Sequence, residues 1–226
     1  MSEFSLTARS RDDALQTAVA TRAPHPQAIR VLDVTLAAIL LVALAPLLLY
    51  VAFVVRLEDG GPIIFAHERI GADGRRFRCL KFRTMVVDAE ARLRALLDAD
   101  PLARAQWAAD HKLKHDPRIT TIGQFLRKSS LDELPQIFNV LRGEMSFVGP
   151  RPIVLAEVQR YGHRIDAYYR VKPGITGLWQ VSGRNDVSYR RRVACDVVFA
   201  RNLSPVLYFR ILALTGPAVL LRRGSY

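Results

Sequence analysis

The chain has 226 residues, half of them hydrophobic, and carries 33 lysines and arginines against 21 acidic residues, a formal charge of +12. That length is enough for one sizeable core, and the cationic excess points to anionic partners such as phosphorylated substrates, acidic lipid headgroups or nucleic acid. The two cysteines, Cys79 and Cys195, lie far apart and outside any metal-type spacing, which argues against a disulfide framework and fits a reducing compartment.

Residues 1–28 are polar and read as a flexible tail, with no apolar stretch near Met1 that a cleaved secretory signal would need. Residues 34–55 contain no charge, and at ~1.5 Å rise per residue such a run is long enough to cross a bilayer. Arg9, Arg11, Arg22 and Arg30 precede it, and Arg56, Arg69, Arg75, Arg76, Arg78, Lys81 and Arg83 follow it. Cations collect on the cytoplasmic side of a membrane segment, so neither flank reads as external. Pro46, near the middle, removes a helix hydrogen bond and kinks the chain. A kinked re-entrant helix over 29–58, entering and leaving by the cytoplasmic face, accounts for both observations.

The segments 60–71 and 75–85 read as short strands around the Ala72-Asp73-Gly74 turn. In an extended 78–84, Lys81 and Arg83 share one face, as suits a diphosphate or an acidic headgroup. Residues 86–99 are rich in strong helix formers, and Asp100-Pro101 predicts the N-cap and first residue of a second helix to about Lys114. His111 and His115 have a spacing that can hold zinc, but no third ligand is evident and the pair reads as part of a solvated basic face.

Arg127 and Lys128 then lead into an adjacent acid pair, Asp132-Glu133. Ser130 and Glu133 fit a capping box; alternatively Asp132 is itself the N-cap, which leaves Pro135 within the first turn. Both options put the pair at a helix N-terminus, where the dipole favours the ionised carboxylate that a nucleophile or metal ligand needs. Farther on, Gly149-Pro150-Arg151-Pro152 holds Arg151 in a rigid turn, ready for two parallel bonds to phosphate. Gly174, Gly177 and Gly183 would let the backbone approach a ligand closely. Trp179 could stack on a base there, beside the polar edges of Gln180, Arg184 and Asn185. Apolar residues between scattered arginines after Arg201, broken at Gly216-Pro217, predict a pair of interfacial helices near 205–223. The expected fold is therefore α+β, mainly helical with a small β element. A cytoplasmic domain over 59–226 follows the membrane helix. Neither a Walker sequence nor GxGxxG occurs, which disfavours a P-loop enzyme.

Four ordered motifs carry a resemblance: KFRTM at 81–85, DELPQ at 132–136, GEMSFVGPRP at 143–152 and KPGITGLWQVSGRN at 172–185. From about residue 28 to the C-terminus the chain resembles the bacterial sugar transferase family, the polyprenyl-phosphate hexose-1-phosphate transferases with a single membrane segment. The ending, SGRNDVSYRRRV and RGSY, is most similar to the short members that initiate exopolysaccharide synthesis. The resemblance implies the same re-entrant geometry, although Ala45-Pro46 stands where family members often have Ser-Pro, and Ala45 cannot satisfy a freed carbonyl. It implies Asp132 and Glu133 as catalytic residues. Asp132 attacks the sugar-bearing phosphorus of a UDP-sugar, and undecaprenyl phosphate then takes the sugar phosphate. Glu133 and Asp132 are the implied Mg²⁺ ligands. Lys81, Arg83, Arg127 and Arg151 are candidates to hold the phosphates, and Gln180, Arg184 and Asn185 to bind the nucleotide sugar. The implied setting is the bacterial inner membrane, with the catalytic domain facing the cytoplasm; a homodimer is admitted, and nucleic acid is not expected as a partner. Galactose is the first choice of sugar and glucose the second. An amino-sugar donor, or a membrane-anchored basic scaffold or nucleic-acid-binding protein, is the alternative.

Overall fold

The computed structural model describes residues 26–110, 113, 116–182 and 188–220, so His111, His115, Gly183, Arg184 and Asn185 lie outside the described residues. The first element is α1, Gln27–Asp59. At ~1.5 Å per residue it is about 50 Å long. Among the described residues it is the one helix long and apolar enough to cross a membrane by length and composition. It is unbroken across Pro46. Its middle keeps large apolar side chains exposed, Val42 at 78% and Leu49 at 72%, as lipid contact requires and a soluble core does not.

Strands β1 (Ile64–Ile70) and β2 (Arg76–Phe82) pair in a two-stranded sheet, and the turn between them uses positive φ at Asp73 and Gly74. Two mostly solvent-facing helices follow, α2 (Ala89–Ala99) and α3 (Pro101–Asp110). The Asp100 carboxylate caps α3 as its sequence predicts, accepting from Leu102 N at 2.8 Å and Ala103 N at 3.2 Å. Next come α4 (Thr121–Ser129), a 3₁₀ turn over Leu131–Glu133, and α5 (Gln136–Arg142). Beyond them, β3 (Ser146–Val148) lies parallel to β4 (Gly174–Thr176), with Ser146 opposite Gly174 and Val148 opposite Thr176. Between these strands run α6 (Leu155–Tyr161), the 3₁₀ turn Gly162–Arg164 and α7 (Ile165–Tyr169). After them come α8 (Leu178–Val181), α9 (Tyr189–Arg201) and α10 (Pro205–Leu220).

The described residues form two compact units. One comprises 37–67 and 78–139. Its core joins Val51 and Val55 of α1, Phe82 of β2 and Leu126 of α4, with Leu131 and Leu134 packed against them.

The other comprises 26–36, 68–77 and 140–220. Ile70, Ile153, Tyr161, Tyr168, Tyr169 and Val193 form its core. The buried tyrosines spend their hydroxyls inside: Tyr168 donates to Ile70 O at 2.7 Å and Tyr161 to Asp196 Oδ2 at 2.7 Å. In the same unit the first turns of α1 are pinned by polar contacts. Asp33, fully buried, accepts through Oδ1 from Ser146 Oγ (2.9 Å), Phe147 N (3.0 Å) and Tyr208 Oη (2.8 Å). Arg30 donates to Val140 O and Leu141 O at 2.6 and 2.8 Å.

Three sequence expectations change here. The apolar C-terminal segment is one helix, α10, which continues through Gly216-Pro217, and not a helix pair; its Tyr208 and Ile211 are buried. Gly174 and Gly177 are required by backbone packing. A Cβ at Gly174 would lie 2.0 Å from Gly149 N, and one at Gly177 2.2 Å from Gly149 O. Trp179 is no base-stacking platform: it is 4% exposed, with the Arg192 guanidinium 4.5 Å over its ring.

Candidate active site

The sequence around Asp132 builds an irregular turn, not a capped helix start. Thr120 caps α4, its Oγ1 accepting from Gly123 N at 2.9 Å, and Thr120 N donates to Thr84 O at 3.1 Å. Gly123 lets α4 close onto that loop, since a Cβ there would lie 2.1 Å from Thr84 O. At its far end α4 stops in a left-handed residue, Ser130 (φ 59°), whose side chain makes no cap bond. A left-handed serine is mildly strained, a feature that clusters at functional turns. The 3₁₀ turn then presents Asp132 and Glu133, and only after Pro135 does α5 begin. The capping-box expectation is thereby corrected: Ser130 ends one helix, and the acid pair sits in the tight turn between two.

That turn brings the pair to Lys81 of β2. Lys81 Nζ donates to Glu133 Oε1 at 2.6 Å and lies 3.5 Å from Asp132 Oδ2. Asp132 is 8% exposed, whereas Glu133 is half-buried. Burial pushes the Asp132 carboxyl above the usual carboxylate range and the Glu133 charge adds to that; Lys81 and Arg127 pull it back. The expectation that a helix dipole favours the ionised Asp132 is opposed here by desolvation, because charge is costly where water is excluded. Arg127, on the last turn of α4, donates from Nε to Thr84 Oγ1 at 2.8 Å and faces Asp132 electrostatically.

Arg83 does not stand beside Lys81 as a second free cation. It is buried, and both its terminal nitrogens donate to the Asp59 carboxylate at the end of α1. Its Nε donates to Pro62 O at 2.6 Å. The guanidinium in turn holds the Asp59 carboxyl down to about 2. Arg83 lies one residue past the end of β2 at Phe82, where Asp59 is within reach. Arg83 thus acts as a strut tying α1 to β2.

Sequence inspection passed over Asn139, which is fully buried on α5. Its Oδ1 accepts from Leu80 N at 2.9 Å and its Nδ2 donates to Arg78 O at 2.7 Å, so it binds the edge of β2 on either side of residue 79 and sets the position of Lys81. The available signal was one amide inside the apolar run Ile137-Phe138-Asn139-Val140-Leu141. Arg151 and Gln180 belong to the other unit. Arg151 is exposed. The backbone around it is fixed by Gly149 N to Thr176 O and Gly174 N to Pro150 O, both 2.8 Å. Gln180 Oε1 is buried without a partner among the described residues.

The arrangement holds a buried carboxylate next to a lysine, an arginine and a second carboxylate. That set can attack an electrophilic phosphorus while neutralising the charge around it. It also fits a hard divalent cation. Asp132 and Glu133 supply two carboxylates, and among the described residues no cluster of three or more metal-ligating side chains occurs, so phosphate oxygens and water would complete the shell.

A family model described as bacterial sugar transferase matches residues 25–222. The UDP-galactose-lipid carrier transferase of Erwinia amylovora is 53% identical over 197 residues, which are 87% of this chain and 41% of that protein. The undecaprenyl-phosphate galactose phosphotransferase of Salmonella typhimurium is 50% identical over the same share of each chain. The exopolysaccharide production protein ExoY of Sinorhizobium fredii is 49% identical over 197 residues, 87% of both chains. The chain therefore spans about two-fifths of the first two relatives, at 41% of each, and most of the third.

Proposed function

Because the chain belongs to the bacterial sugar transferase family, we propose that it is an enzyme moving a hexose 1-phosphate from a UDP-sugar to undecaprenyl phosphate, with release of UMP. Galactose is the first choice of sugar and glucose the second, in line with the names of its relatives. The product would open exopolysaccharide synthesis, as the ExoY name of two relatives fits. The observation that carries the proposal is the buried Asp132 beside Lys81, within the DELPQ and KFRTM motifs.

In this mechanism an Asp132 carboxylate oxygen bonds to the sugar-bearing phosphorus, and the bond from that phosphorus to the UMP oxygen breaks. UMP leaves with the bonding electrons. A phosphate oxygen of undecaprenyl phosphate then bonds to the same phosphorus and the aspartyl oxygen departs, restoring the carboxylate. Burial keeps Asp132 poorly solvated and hence reactive, while Lys81 keeps enough of it ionised. Lys81 and Arg127 neutralise charge on the transferring group. Glu133 with Asp132 would hold Mg²⁺, which when bound supplies charge neutralisation and alignment at the diphosphate.

In this reading the apolar α1 would hold the chemistry at a bilayer, where the acceptor phosphate resides; confinement there would raise the effective acceptor concentration. We read α1 as re-entrant, with the catalytic domain in the cytoplasm. The arginines and lysines on both flanks of the helix support that reading.

UMP release by the detergent-solubilised full chain tests the reaction, with Mg²⁺, undecaprenyl phosphate and a panel of UDP-sugars that includes amino sugars. Lipid-dependent release from one sugar, lost in Asp132→Asn, is the expected result. Release that persists in Asp132→Asn would remove Asp132 as nucleophile, and no release from any sugar by folded protein would remove the reaction.

A further inference from the structure

The unit containing α6 to α10 carries a cleft made from none of the residues of the acid pair. It is ≈ 490 Å³ and lies among the turn Gly162–Arg164, α7 and α9. That volume is in the range that holds small ligands. Arg164, Arg170, Arg201 and His163 line it, against a single carboxylate, Asp166. Some arginines of the chain are tied down by acids, as Arg83 is by Asp59 and Arg118 by Asp116. Arg164, Arg170 and Arg201 have no ion pair or side-chain hydrogen bond among the described residues. Three guanidiniums held on helical segments around one depression are suited to phosphate, which they grip with paired donors.

The floor has the opposite character. Ala194, Val197 and Val198 line it, and Val198 is 50% exposed. A site for a soluble anion has no use for exposed aliphatic surface, whereas an amphiphile covers it. Past Asn202-Leu203-Ser204 the chain enters apolar α10, whose Val206 and Phe209 are exposed at 78% and 50%. Cations and an aliphatic floor, with an apolar helix next in the chain, together describe a lipid with a charged head.

We propose that this cleft binds the phosphate headgroup of an anionic phospholipid, with the glycerol and first chain carbons over Val197 and Val198. Basic residues attract such lipids, and each arginine removed should weaken binding by about fivefold.

The full chain in neutral detergent would be titrated with short-chain phosphatidylglycerol, short-chain phosphatidylcholine and glycerol phosphate. Bound molecules would be counted by native mass spectrometry, and amide exchange followed over 162–170 and 194–201. Expected is one saturable phosphatidylglycerol that protects both segments, with the other two probes about tenfold weaker or more. Arg164→Gln with Arg170→Gln should weaken that saturable binding by about 25-fold. Ala194→Phe, which fills the floor and leaves every charge in place, should weaken it too. Arg190→Gln on the same helix should change nothing, and Asp132→Asn should keep the site, so the result is independent of the phosphoryl-transfer proposal. Equal binding of phosphatidylcholine, glycerol phosphate bound as tightly as the lipid, or insensitivity to the double arginine variant and to Ala194→Phe would each overturn it.

Discussion

The proposed nucleophile, Asp132, could attack phosphorus only when ionised, and it sits where ionisation is resisted. Before Mg²⁺ binds, its raised pKa means that metal binding, and with it kcat/KM, should fall on the acid side at a pH above that of an ordinary aspartate, about 3.9. Lys81 lowers that pKa, so Lys81→Met should move the acid limb of kcat/KM to still higher pH as well as slow turnover by roughly 100-fold, the loss of one stabilising donor. An acid limb that stays in place in Lys81→Met would remove the lysine from the electrostatics of the site. Arg83 should behave differently. Arg83→Met leaves the Asp59 charge without its partner and should cost about 3 kcal/mol of unfolding free energy, with Arg83→Lys intermediate. UMP release per folded molecule should be retained in Arg83→Lys; a selective rise in KM at unchanged stability would instead make Arg83 a phosphate ligand.

Among the elements, the first turns of α1 depend on Asp33. Asp33→Ala would leave Ser146 Oγ, Phe147 N and Tyr208 Oη without their shared acceptor, at a cost of about 3 kcal/mol or more, since each orphaned buried donor costs roughly 1–3. Asp33→Asn keeps an acceptor oxygen and should cost less; thermal unfolding in detergent ranks the two. Helix α9 is tied to α6 by Tyr161 and Asp196, and burial raises the Asp196 carboxyl to about 7. The folded state therefore holds that proton more tightly than the unfolded chain, whose aspartate titrates near 3.9. Below about pH 4 both states are protonated and the stabilisation is complete; it is lost as pH rises to about 7. The unfolding midpoint should thus fall between pH 5 and pH 8 more steeply in wild type than in Asp196→Asn, and equal slopes would discard the assignment.

For the molecule as a whole, the course of α1 decides where the chemistry happens. Single cysteines at Ala28 and Leu57, in a chain with Cys79 and Cys195 replaced by alanine, can be labelled in sealed vesicles of both orientations. The re-entrant reading expects both positions to react from the cytoplasmic side alone. A spanning helix would expose them to opposite sides. Ala45→Ser would add a hydroxyl beside Pro46 without changing that answer, because the flanking arginines set the orientation.

The sequence by itself determined the elements whose cause is local. An uncharged run gives α1, Asp100-Pro101 starts α3, and alternation around Ala72-Asp73-Gly74 gives the hairpin. It also supplied the motifs that bring Asp132, Glu133 and Lys81 forward as chemistry, and these three do meet. Direction and burial were decided only in three dimensions. Arg83 departs from the face of Lys81 because Asp59 lies 24 residues away in sequence yet next to it in space. Gly174 and Gly177 look like ligand glycines until the backbone of Gly149 is seen against them. The acid pair reads as a helix cap until Ser130 turns left-handed and Asp132 is buried, which reverses the direction of its pKa. Local propensity is written along the chain, but desolvation and pairing depend on residues far apart in it, and only packing brings those together.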